Sequence, residues 1–121
     1  MIKEAYCSYE ISKLLKEKGF DERTVYHYII GQPTSLQHNI VYNKYCNSDA
    51  ENIYVSPTHQ MACAWLREKG IFFCIHPDYP VSKNYIVEFY DDGVPSGLFG
   101  AYEKYDDAVE EALKYTLENL I

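Results

Sequence analysis

The chain is poor in arginine, with two among 121 residues, and it holds a single tryptophan, Trp65. With so little arginine and a net charge of −7, a broad basic face for duplex DNA is not expected, because phosphate neutralisation needs clustered lysine and arginine. No apolar run approaches the roughly 20 residues a membrane-spanning helix requires, so no membrane association is expected. Met1-Ile2-Lys3-Glu4 lacks the apolar stretch of a secretory leader, and none is expected. No CxxC pair occurs among Cys7, Cys46, Cys63 and Cys74, which are therefore expected as reduced thiols, small and often buried. A Gly-rich phosphate loop is missing as well.

What is present is an ordinary globular composition, 47% hydrophobic and 24% charged, enough for one domain over residues 1–121. The net charge of −7 is lopsided: residues 1–85 balance, whereas 86–121 set nine acids against Lys104 and Lys114. That acidic end reads as the solvated face of a helix. Thirteen tyrosines are the compositional anomaly. Tyrosine buries a large ring but keeps a hydroxyl that needs a partner, which suits half-wet clefts and interfaces as well as strands.

Three helices are legible. Ser8 caps the first, over 8–18, where Ile11, Leu14 and Leu15 form an apolar stripe and Gly19-Phe20 supplies a left-handed stop. Ser56-Pro57-Thr58 opens the second, over 58–69, with Met61, Ala62, Trp65 and Leu66 on its buried face and Gly70-Ile71 at its end. The two endings, Leu15 to Phe20 and Leu66 to Ile71, echo each other as shared stop chemistry. The third, from Tyr105 to the end, carries Ala108, Val109, Ala112, Leu113, Leu117 and Leu120, with Asp106 and Asp107 in its first turn. Strands are expected at 24–30, 40–46, 71–76 and 85–90, with a short piece at 53–55. Residues 91–93 read as a turn and 95–100 as an irregular link. Period two places Ile71, Phe73 and Ile75 on one face with Tyr85, Val87 and Phe89 on the partner, leaving Cys74, His76, Ile86, Glu88 and Tyr90 opposite. The expected fold is α+β: one antiparallel sheet of four to five strands, three helices mainly on one face, in the order αββ(β)αββα.

His59 and Cys63, four apart on a helix, and Cys74 and His76, two apart on a strand, give H-x3-C…C-x-H. This set can close a tetrahedral zinc site if the pairs are neighbours in space, or supply a Cys–His nucleophile, but it matches no zinc module. Neither a metal nor another cofactor is expected, and no catalytic residue is assigned.

Residues Ile11 to Glu22, Ser56 to Ile71 and Tyr105 to Leu113 together resemble a family of small proteins encoded by bacteriophages and integrated elements of gut bacteria. Pro57-Thr58 and the Trp65-Leu66-Arg67-Glu68 helix carry the resemblance best. It implies a virus-encoded accessory protein of the host cytoplasm and assigns no activity.

Three functions follow as expectations. In the first, a non-catalytic protein binds a small nucleotide-like ligand and sequesters an immune signal of the host. Thr58 and His59 at a helix start would hold the anion, and Tyr26, Tyr28, Tyr42, Tyr45 and Tyr54 would supply ring contacts. Nearby cations would have to come from Arg23, Lys44, Lys83 or a charged His59. In the second, exposed aromatics and the acidic end form a module that blocks or adapts a host protein. The third is a Cys/His or zinc-dependent hydrolase. A homo-oligomer is expected under any of them, since a small sheet leaves edges to cover.

Overall fold

The computed structural model describes residues 3–39, 44–91 and 94–121. Three helices, α1 (Tyr9–Glu17), α2 (His59–Glu68) and α3 (Tyr105–Asn119), accompany six strands. These are β1 (Tyr26–Ile29), β2 (Leu36–His38), β3 (Ile53–Val55), β4 (Phe72–Pro77), β5 (Tyr85–Asp91) and β6 (Val94–Tyr102). The chain is α+β, but its strands form two antiparallel three-stranded sheets, ordered β2-β1-β3 and β4-β5-β6, not one sheet of four to five. The element order is αβββαβββα. The first strand is central in one sheet and at the edge in the other, so the two αβββ halves are not topological copies.

The helix ends follow the sequence. Ser8 accepts from the Ile11 N–H at 3.3 Å, and Thr58 from the Met61 N–H at 3.1 Å. Gly19 and Gly70 take φ of 91° and 82°, and the next residues close the stop: Phe20 N–H to the Leu15 carbonyl at 2.9 Å, Ile71 N–H to that of Leu66 at 3.1 Å. Ala62 and Leu66 are fully buried, Trp65 packs on Phe20, and Met61 faces outward.

Two strands differ from expectation. The partner of β1 is β2, whereas the 40–46 run contributes one bridge, Tyr45 to Thr24, with 40–43 outside the described residues. Buried Asn39 anchors this stretch, donating from Nδ2 to the Thr24 carbonyl at 2.7 Å. The stretch containing Pro95, Gly97 and Gly100 reads as irregular because these residues disfavour strands, yet it pairs with β5 as β6. An edge strand tolerates a proline without an N–H, and the register shifts along β5–β6 are bulges that absorb the mismatch.

α3 ties the molecule together. Ala108 and Ala112 pack on Val87 and Phe89 of β5, while Val109, Leu113 and Leu117 join Cys7, Ile11, Leu15, Val55 and Leu66 in the larger core. Phe73 and Ile75 touch both clusters, so each sheet takes a helix of its own but shares one interior. Among the described residues, no helix is long and apolar enough to cross a membrane.

Candidate functional site

The starts of α2 and α3 and the free edge of β4 enclose an open cleft of about 560 Å³. Thr58, His59, Gln60, Cys63 and Arg67 line it from α2; Tyr105, Asp106 and Val109 from α3; Phe73, Cys74 and Ile75 from β4. Glu4 and Ala5 complete the rim. The volume falls within the range of small-molecule sites, roughly 300–1,000 Å³.

Both helix starts leave backbone donors open to the cleft. In α2 the His59 N–H reaches the Ala5 carbonyl at 3.0 Å and Met61 is capped by Thr58, so the first-turn donor left over is Gln60. In α3 the residue before the first turn, Lys104, provides no side-chain cap. The amides of Tyr105, Asp106 and Asp107 thus have no side-chain cap among the described residues, and each helix presents the positive end of its dipole. Arg67 is exposed on the rim and has no carboxylate partner among the described residues.

His59, on the lining of this cleft, is already paired with a carboxylate. Its Nε2 lies 2.8 Å from Glu110 Oε2, while the buried Nδ1 has no partner among the described residues. A histidine–carboxylate pair is at most neutral, so His59 adds no net positive charge for an anion. Thr58 spends one lone pair on its cap and retains its hydroxyl proton as a donor. Cys7, fully buried, lies beside the pair: one donor atom from each of Cys7, His59 and Glu110 falls within 4.8 Å of the others. Burial, and then Glu110 and Cys63, push the Cys7 thiol well above its usual range. Burial likewise raises Cys63 to about 11 against a partial opposing pull from Arg67. Neither thiol is a thiolate at neutral pH, so neither has the character of a nucleophile.

The tyrosines are elsewhere. Tyr26, Tyr28 and Tyr54 share one face of the first sheet, where Tyr28 stands opposite Tyr54. Tyr26 packs on Tyr6 and His38, and Tyr9 inserts between Tyr28 and Tyr54 with centroids 5.5 and 5.3 Å away. Tyr45 meets His27 and the core. Tyr42 lies outside the described residues. None of the described four lines the cleft beside Thr58; their ring contacts are made within the protein. The aromatic rings at the cleft are Phe73 and Tyr105, and Tyr105 is half exposed with its edge contact made to Tyr85. Of the expected cations, Arg23 and Lys44 line a smaller recess on the other side of Thr58, of about 190 Å³, where Arg23 is paired with Asp49. Arg67, which the sequence reading passed over, continues the helical stripe His59–Cys63–Arg67 at four-residue spacing. That spacing was the available signal.

The H-x3-C…C-x-H set does not converge on one point. His59 belongs with Cys7 and Glu110, while Cys74 and His76 belong with Glu88 on the second sheet. No protein family, curated protein or solved structure matches the chain, so geometry alone carries the functional reading.

Proposed function

We propose that this protein is a non-catalytic binder of a small anionic ligand of nucleotide type, held in the cleft between α2, α3 and β4. The observation that carries this reading is that two helix starts open on one cleft beside an arginine with no carboxylate partner among the described residues. Amides at Gln60, Tyr105 and Asp106, the Thr58 hydroxyl and Arg67 supply the donors an anion needs. Glu4 and Asp106 place carboxylates on the same cleft. Those carboxylates disfavour a bare inorganic anion and favour a ligand that also carries hydroxyl or amino donors, as a nucleotide does. The Tyr105 ring offers a surface on which a base can stack.

Two raised thiols argue for binding over covalent catalysis. Together with the resemblance to phage-encoded proteins, the reading becomes sequestration of a nucleotide immune signal in the host cytoplasm. Thermal unfolding with millimolar nucleoside phosphates, cyclic dinucleotides and pyrophosphate tests it. A ligand at a hundred times its Kd adds about 2.7 kcal/mol, roughly 10 °C in Tm for a chain of this size. The expected result is such a rise with a nucleotide, lost in Arg67→Gln; an unchanged Tm across the panel removes the reading.

A second reading rests on the loop at residues 78–84, where Tyr79 and Val81 are 77% and 84% exposed. Projecting apolar side chains of this kind anchor protein–protein contacts. In that case a host protein retained by the native chain is lost from a Tyr79→Ser, Val81→Ser variant and kept by Arg67→Gln.

A further inference from the structure

We propose that the second sheet binds a divalent transition metal, zinc by its donor set, through Cys74, His76 and Glu88. The register of β4 against β5 sets Cys74 directly opposite Glu88. His76 stands two residues along β4, on the same face. One donor atom from each of the three lies within 4.8 Å of the others.

These donors do not satisfy one another. His76 Nε2 is 3.3 Å from Glu88 Oε2, an ion-pair distance, yet it is buried and makes no hydrogen bond. A buried ring nitrogen left with only a poorly aligned ion pair is incompletely satisfied, and a metal ion set between it and the carboxylate bonds to both. The Cys74 sulfur has the Tyr90 hydroxyl 3.6 Å away, placed to donate to a thiolate from outside the coordination shell. The His76 side chain is 38% exposed, which leaves a path for an ion to enter.

Sulfur, imidazole and carboxylate together suit zinc better than the oxygen-seeking calcium or magnesium. Three protein ligands leave a fourth position for water or an incoming group. The Cys7–His59–Glu110 cluster has the same donor types, and its His59 Nδ1 is likewise buried without a partner among the described residues, but its ligating atoms are already engaged or out of reach. There His59 Nε2 is engaged by Glu110 at 2.8 Å, Glu110 also accepts from the Ser8 N–H at 3.4 Å, and Cys7 is sealed from solvent.

Zinc titration of the reduced, chelator-treated full chain by calorimetry, followed by cobalt substitution, tests the assignment. The expected result is a single equivalent of zinc and a thiolate-to-cobalt charge-transfer band. Cys74→Ser abolishes the band, and His76→Gln and Glu88→Gln each weaken zinc binding about tenfold or more. Cys63→Ser changes neither. Circular dichroism checks that each variant folds; if Cys74→Ser does not, the other two decide the matter by affinity. Absence of stoichiometric zinc, affinities unmoved by both of those variants, or a band that survives in folded Cys74→Ser would overturn the proposal.

Discussion

The Cys7–His59–Glu110 and Cys74–His76–Glu88 clusters contain the same three side-chain types at the same close spacing, yet their surroundings give them different work. The first joins the start of α2 to the middle of α3. Its histidine is hydrogen-bonded to its glutamate through Nε2, though Nδ1 has no partner among the described residues, and its thiol is kept protonated by burial. It is a structural bolt under the cleft. The second lies across two strands on a half-open face, where the imidazole nitrogen is buried without a hydrogen bond. Access, and whether the carboxylate is already hydrogen-bonded to the imidazole, separate two clusters of the same residue types.

Removing the two carboxylates sharpens the contrast most. Glu110→Ala leaves His59 Nε2 and the Ser8 N–H without their acceptor, at a cost of about 2–3 kcal/mol in urea unfolding. Glu88→Ala, whose carboxylate makes only a poorly aligned ion pair, costs about 1 kcal/mol or less. Equal losses would break the distinction.

Alkaline unfolding comes next. Cys7 and Cys63 are both raised above 9.0, the latter to about 11, so the unfolded chain releases these protons first. The stabilising difference is intact below pH 9.0 and is lost as pH climbs from there to about 11. Chemical denaturation at stepped pH should show that decline, and Cys63→Ala should blunt it.

Alkylation separates the cysteines. At pH 8 or so Cys7 stays unmodified, and Cys63 reacts slowly, its rate rising about tenfold per pH unit up to its thiol pKa. Peptide mass spectrometry after zinc addition should show protection at Cys74 alone. The smallest effect lies on the acid side. Backbone hydrogen bonds from Ser48 and Cys46 hold Asp21 and Asp49 below the usual carboxylate range, so their contribution is present at neutral pH and lost as pH falls through that range. Both are exposed, and acid titration of Asp21→Asn should differ only slightly from that of the native chain.

Much of the second sheet was legible in the sequence because period two governs a strand wherever it pairs. The alternation that put Phe73 and Ile75 against Phe89 and Val87 is the observed register, and it also put Cys74, His76 and Glu88 together on the other face. Helix caps and stops were legible for the same reason: they are local. The meeting of His59 with Glu110 spans 51 residues, and that of Cys7 with both depends on how α1 is seated. No spacing rule reports either. The tyrosine surplus misled because ring chemistry does not say which rings find each other, and Tyr9 between Tyr28 and Tyr54 uses up the faces a ligand would need. β6 was hidden by its proline and glycines, which an edge position permits.

The most direct measurement for the cleft is an amide NMR titration of the native chain with a nucleoside diphosphate. Saturable shifts centred on Gln60, Arg67, Tyr105 and Asp106 are the expected outcome. Silence at millimolar ligand, or shifts confined to Tyr26, Tyr28 and Tyr54, would contradict it.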